Sequence, residues 1–303
     1  MFDSRPAEDR RGIGRYASCL LAALRETAPS DDDEIVEGHR PRRAGLYHSP
    51  WIDGALLRPP GHQVVTLHDV VPLKRRSEYL RTGIRFRMRY LAVQRSARVI
   101  VPTAVVAGDV AEHVGIDPER IVVIHEAPAP AMYARGAGEI AAARERYELP
   151  GEYLLWVGGL QTPDPRKRVA ALARTPHELP LVLVGATKPW AHELPGVTLT
   201  GYVPDDHLAA IYSGARALVF PSDDEGFGLP TVEALACGTP VVATDIPVLR
   251  EVLGERATFV EAGDLEGLLA AGAAAARPAP APPEWSWADA ARATWRVYHD
   301  LAG

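Results

Sequence analysis

Short, nearly continuous Val/Ile/Leu runs alternate with helically spaced segments along the whole chain. This constrains the fold more than any other feature of the sequence. Strands covered on both faces read as unbroken apolar runs, whereas half-exposed strands alternate apolar with polar residues. Repeated alternation of such strands with helices predicts an α/β architecture with doubly wound parallel sheets. The expected strands are residues 46–48, 64–68, 99–102 and 121–125 in the first half. Those in the second half are 153–157, 181–184, 197–200, 217–220 and 241–243. Ile13, Tyr16, Leu20 and Leu24 fall at helical spacing, as do Ala291, Thr294, Trp295 and Tyr298 near the end.

A chain of 303 residues suits two domains of ordinary size. Residues 127–138 (APAPAMYARGAG) replace periodic structure with Pro, Ala and Gly and mark the expected boundary. The proline-rich stretch 277–283 reads as an extended linker to a last helix over 287–301. The expected domains are therefore 1–130 and 131–283, with a closing segment 284–303. The first half departs from the usual opening of a doubly wound domain, a buried strand followed by a glycine turn. Only residues 1–3 precede the glycines as strand, and 25–45 is polar and acidic where more sheet is expected. Either the first strand is a stub or the chain starts late.

Hydrophobic residues at 47% and charged residues at 24% describe a globular protein able to bury its own core. Cys19 and Cys237 are the only cysteines, which excludes a disulfide framework or a zinc cluster and fits a reducing, cytoplasmic setting. No apolar run is long enough to cross a bilayer, and the charged N-terminus has no apolar core of a secretory signal. A net charge of -6 argues against a general nucleic-acid binder. Lysine occurs only at Lys74, Lys167 and Lys188, so arginine carries most of the basic charge.

Residues 220–244, FPSDDEGFGLPTVEALACGTPVVAT, hold most of the chemistry. They read as a strand end, a loop, a helix and a further strand. Gly226 and Gly228 permit close backbone approach or positive φ. Pro230 suits a first helical turn, and Gly238 with Pro240 ends the helix. The helix start offers backbone N–H groups and a positive dipole end, a setting for phosphate. Glu225 precedes the helix and Glu233 follows eight positions later. Ionised carboxylates accept hydrogen bonds only, which suits hydroxyl-rich ligands. Either acid alone could simply offset the helix dipole.

The segment EGFGLPTVEALACGTPVV resembles the E-x7-E signature of the retaining nucleotide-sugar glycosyltransferases of family 4, or group 1. The likeness runs from about residue 197 to 252. It weakens to GIGRY (12–16), LYHSP (46–50), VVTLHDVVPL (64–73), WVGGLQTPDPRKR (156–168) and the closing WADAARATWRVY. Such enzymes have the GT-B fold, two Rossmann-like domains facing across a cleft, with the last helix crossing back to the first domain. Here the N-terminal domain is expected to be reduced. The resemblance implies that Glu233 holds the donor ribose and that Glu225 faces the transferring sugar. The backbone of Phe227, Gly228 and Leu229 would contact the sugar and diphosphate, and that near Tyr202 and Val203 the base. Arg166 and Lys167 resemble the basic pair that neutralises the diphosphate; many relatives carry a further Arg where this chain has Gly159.

By the same resemblance, Gly12 and Gly14 form a turn before the first helix that closes on the diphosphate or acceptor. His68, at a strand's carboxyl end where open sheets place ligand contacts, would touch the transferring sugar, with Asp69 positioning it. Arg81, Arg85 and Arg89 form one helical stripe in a basic stretch. That stripe reads either as a solvated helix face or as a contact for an anionic acceptor or membrane headgroups. Asp31 and Asp33 carry a metal reading that their polar, non-strand setting disfavours, so no metal and no cofactor is expected. The expected activity is metal-independent, retaining transfer from a nucleoside-diphosphate sugar to a hydroxyl acceptor, a glycan, lipid or natural product. The alternatives are a phosphorylase or epimerase of the same fold, and a non-catalytic sugar-nucleotide-binding subunit with a degenerate acceptor domain.

Overall fold

The computed structural model describes residues 1–8, 12–41, 45–75 and 84–302. The chain divides into two units. Residues 1–127 with 285–303 form unit 1, and residues 128–284 form unit 2.

Unit 1 opens with helix α1 (Gly12–Glu26), followed by β1 (Leu46–Ser49), β2 (His62–Thr66), α2 (Val71–Lys74) and α3 (Ile84–Gln94). Then come β3 (Arg98–Val101), α4 (Ala104–Val114) and β4 (Ile121–Val123). The four strands pair in parallel in the order β1-β2-β3-β4. Adjacent residues point to opposite faces of a strand, so Val64 and Ile100 enter one core while Val65, Val99 and Val101 enter the other. Both faces of the sheet are thus covered, which is why its strands read as unbroken apolar runs.

The opening segment is a stub that nevertheless pairs on both sides. Phe2 bridges Glu37 and His48 in parallel, donating its N–H to Val36 and accepting from Gly38. Among the described residues, the polar stretch 25–45 therefore supplies one bridging residue to the sheet, Glu37, and no strand. The expected strand 121–125 stops at Val123, and His125 turns its ring to the Pro102 carbonyl instead.

Unit 2 contains α5 (Ala137–Arg146), β5 (Leu154–Val157), α6 (Val169–Arg174), β6 (Leu181–Val184), β7 (Val197–Gly201) and α7 (Asp205–Gly214). It continues with β8 (Ala217–Phe220), α8 (Leu229–Ala236), β9 (Val241–Thr244), α9 (Pro247–Leu253), β10 (Thr258–Val260) and α10 (Leu265–Ala274). Its parallel sheet has the order β10-β9-β8-β5-β6-β7. Strand β10 was not expected, because its three residues lie between polar neighbours and pair only with β9. From β5 the chain builds outward through β6 and β7, then returns to place β8 on the other side of β5. The carboxyl ends of β5 and β8 are therefore the topological switch point, where such sheets bind ligands.

No helix or strand forms over 275–286. The last helix, α11 (Trp287–Ala302), belongs to unit 1. Its buried residues include Ala291, Thr294, Trp295 and Tyr298, the helically spaced set. They pack on Leu20 and Leu24 of α1, and the Trp295 indole donates to the Leu24 carbonyl at 3.0 Å. Ile13 departs from its expected place in this stripe and lies exposed. Among the described residues, no helix is long and apolar enough to cross a membrane.

Candidate functional site

In unit 2 the loops after β5 and β8 meet at the switch point. The Asp223 N–H donates to the Arg166 carbonyl at 3.0 Å, tying one loop to the other. Asp164 caps the 3-10 turn over Pro165–Lys167 by accepting from the Arg166 N–H. The same carboxylate holds the Arg166 guanidinium, Nε to Oδ2 at 3.0 Å. Arg166 also lies 3.8 Å, Nη1 to Oε2, from Glu225. The guanidinium is thus lodged between two acids. Lys167 is half-buried, and among the described residues no carboxylate pairs with its ammonium.

Helix α8 starts beside these groups. Its cap, Gly228, has φ of 90°, and an added Cβ would lie 2.8 Å from Leu249 Cδ2. Only glycine meets both demands without strain. Phe227 and Leu229 flank it, both buried. Glu233, in the second turn of α8, is 2% exposed, and the Tyr212 hydroxyl donates to its Oε2 at 3.3 Å. Burial, and next the negative charge of Glu233, push the neighbouring Cys237 thiol up to about 12. That thiol is therefore unreactive at neutral pH. At the end of β7, Tyr202 is exposed and Val203 buried.

The sequence reading missed three residues here. Asp164 orients Arg166; its signal was an Asp directly before a Pro-started turn. Asp223 joins the loops and lies 3.7 Å from Arg168. The Ser222 hydroxyl, at the foot of β8, is buried with no hydrogen-bond partner among the described residues.

In unit 1, Gly12 and Gly14 do not form a turn ahead of α1; the helix begins at Gly12, so both lie in its first turn. A Cβ at Gly12 would meet nothing within 4 Å, which leaves open space against the helix start. His68 lies two residues beyond β2. Its Nε2 is 3.0 Å from the Pro50 carbonyl and its Nδ1 3.0 Å from Glu126 Oε1. A carbonyl only accepts, so Nε2 carries a proton. Burial lowers the tendency of His68 to protonate, but the hydrogen bond and charge of Glu126 outweigh this and the net shift is upward. When protonated, the ring donates from both nitrogens. Asp69, expected to position His68, accepts from the Val71 N–H at the start of α2 and its charge also favours the protonated ring, while Glu126 is hydrogen-bonded to Nδ1. Glu126 comes from beyond β4, so sequence adjacency gave no sign of it.

The edge of Tyr16 packs on the His68 ring at 4.6 Å. The Tyr16 hydroxyl meets Thr66, which meets His48 Nε2, while His48 Nδ1 meets the Tyr298 hydroxyl. A buried polar chain therefore links α11, β1, β2 and α1 beneath the Gly12 end.

Of the basic stripe, Arg89 is paired with Asp53 at 2.8 Å. Arg81 and the side chain of Arg85 lie outside the described residues. Asp33 receives His299 and Ser30 rather than forming a ligand set with Asp31. Among the described residues, no group of three or more metal-ligating side chains occurs.

Comparison with known proteins matches both units. Residues 12–127 match the Glycosyltransferase Family 4 model, and residues 152–276 match Glycosyl transferases group 1. The serotype-specific mannosyltransferase WbdA of Escherichia coli is 30% identical over 220 residues, 64% of this chain and 27% of WbdA. The chain thus spans well under two thirds of that relative's length. WaaG, a glycosyltransferase involved in lipopolysaccharide biosynthesis, superposes with a TM-score of 0.66 at 18% identity, covering 96% of this chain and 93% of its own. Anabaena HepE, solved in complex with UDP and glucose, gives 0.62 at 17% identity, covering 96% of this chain and 79% of its own. At such identities the structural likeness establishes the fold. The two family matches, together with the two parallel-sheet units, make this chain a homologue of the group 1, family 4 glycosyltransferases, built on the GT-B fold.

Proposed function

We propose that the chain transfers a sugar from a nucleoside-diphosphate sugar to a hydroxyl acceptor, with retention and without a metal. The observation that carries the reading is the convergence at one switch point of a helix N-terminus, a buried Glu233 and the Arg166–Lys167 pair. In this reading Glu233 accepts from the ribose hydroxyls. The α8 start, through the backbone of Phe227, Gly228 and Leu229, holds sugar and diphosphate. Glu225 faces the transferring sugar, and Tyr202 and Val203 flank the base. Gly12 and Gly14 serve the diphosphate or acceptor, and His68 touches the transferring sugar or orients the acceptor.

The bond from the anomeric carbon to the diphosphate breaks while the acceptor oxygen bonds the same face. The acceptor's proton passes to the departing phosphate, whose growing negative charge Lys167 and Arg166 stabilise. Two free cysteines accord with a cytoplasmic site of action, and Arg81, Arg85 and Arg89 with peripheral contact to an anionic acceptor or inner membrane face. The HepE complex makes UDP and UDP-glucose the first donors to test, and WbdA adds a mannose donor.

A thermal-shift screen with UDP, GDP, ADP, TDP and their sugar conjugates tests the reading. A ligand at about 100 times its Kd adds about 2.7 kcal/mol of stability. One diphosphate should shift the melt, and Glu233→Ala should remove the shift. No shift with any of them would sink the reading.

A further inference from the structure

The carboxyl edge of unit 1's sheet holds a second polar assembly, centred on Asp3. This residue ends the Phe2 stub and is fully buried. Its Oδ1 accepts from Arg5 Nε at 2.8 Å and from the Arg5 backbone N–H at 3.3 Å. Its Oδ2 accepts from Arg5 Nη2 at 2.6 Å, Trp51 Nε1 at 3.1 Å and the Tyr47 hydroxyl at 3.2 Å. Burial alone would raise its tendency to hold a proton, but the bonds from Arg5 and Trp51 prevail and keep it ionised. A buried carboxylate is tolerated only when its lone pairs are filled, and these are. Gly54 closes the pocket: a Cβ there would lie 2.3 Å from Asp3 Oδ2.

The result is a guanidinium and an indole fixed in place. Asp3 takes Nε–H and one Nη2–H, the side of the Arg5 fork. The Tyr47 hydroxyl also interacts with the guanidinium, and among the described residues no carboxylate other than Asp3 pairs with it, so the end of the fork keeps donors to offer. The Arg5 side chain is 43% exposed, and its central carbon lies 5.6 Å from the Trp51 ring centroid. A planar edge of parallel N–H donors matches a carboxylate or phosphate in bidentate fashion. Hydrogen bonds that fix a guanidinium in this way are what a pre-set binding group requires. The location also fits. Asp3, Trp51 and His68 follow three neighbouring extended segments at the sheet's ligand-binding end. Pro50, next to Trp51, accepts the His68 Nε2 proton.

We propose that Arg5, held by Asp3 beside Trp51, binds a carboxylate or phosphate group on the acceptor. The assignment to the acceptor rests on the transferase reading. The acceptor class is then an anionic glycan or a phosphorylated polyol, not a neutral sugar.

The test is calorimetric titration of the full chain, with its stabilising nucleotide diphosphate present, using glucuronate, mannose 6-phosphate and methyl α-mannoside. At least one charged sugar should bind ~10-fold or more tightly than the neutral glycoside. Whichever anion wins identifies the group. Arg5→Gln, which can still donate to Asp3, should erase the difference and leave the nucleotide shift intact. Arg5→Lys keeps the charge but loses the fork, and should also lose most of the preference. Equal binding of the three probes, no binding by any of them, or a preference that survives Arg5→Gln would overturn the proposal. An Arg5-dependent preference in a chain that no nucleotide stabilises would overturn the transferase reading and leave the anion site standing.

Discussion

Glu126 Oε1 lies 3.0 Å from Nδ1 of His68, although 58 residues separate them in sequence. The pair sits at the carboxyl edge of unit 1's sheet, with Tyr16 packed against the imidazole. Burial works against protonation of His68, and Glu126 is the chief group that raises its pKa in return.

Replacing Glu126 with Gln should therefore lower the His68 titration midpoint from above 6.5 to below it. A folded-state value raised above the unfolded one gives stability that is present below about pH 6.5 and lost as pH rises through the folded value. Wild type should weaken over that upward range, and Glu126→Gln should not. Proton NMR titration of His68, with melts across the same pH range, reads both. An unchanged midpoint would assign the ionisation to another group.

His48 should act in the opposite direction. Burial holds it neutral, with its pKa lowered to about 3. The unfolded chain takes up a proton below about pH 6.5, so stability should fall by roughly 1 kcal/mol per pH unit between 6 and 4. His48→Gln should flatten that acid limb, though it will cost some stability at pH 7 through the Tyr298 and Thr66 bonds. Urea melts at stepped pH measure the slope.

At the donor site, the two charged residues should separate kinetically. Glu233→Ala removes a buried acceptor on α8 and should weaken nucleotide-sugar affinity by about 10-fold or more, chiefly in KM. Lys167→Ala removes charge stabilisation that grows in the transition state, so kcat should fall by about 100-fold with little change in KM. The reverse pattern in both variants would overturn the role assignments.

Gly228→Ala tests the α8 cap. The positive φ and the 2.8 Å approach to Leu249 together predict a loss of about 2 kcal/mol. Because the strain falls at the helix start, nucleotide binding should weaken as well. Denaturant melts and the thermal-shift screen read the two effects separately.

Trp295→Ala should be the most damaging change in unit 1. It removes a core side chain and its bond to Leu24, the anchor of α11 on α1, and should cost about 3–5 kcal/mol. Conservative Trp295→Phe should recover most of that loss in a chemical melt.

The sequence alone determined the local elements of this protein. Strands 181–184 and 217–220 fall where their Val/Leu runs end, because residues buried on both faces leave an unbroken apolar signature. Gly228, Pro230 and Glu233 are equally legible, since backbone φ, a missing N–H and a helical offset are local properties. Tertiary structure decided the pairings. Phe2 could complete a strand only because Val36–Gly38 and β1 flank it in space. The order β8-β5-β6 created the switch point that lodges Arg166 between Asp164 and Glu225. Glu126 reached His68 from beyond β4, and Asp3 gathered Arg5, Tyr47 and Trp51. Each of these depends on which chain segments become neighbours. A sheet sets that through long-range hydrogen bonding and shared burial, which residue spacing does not encode.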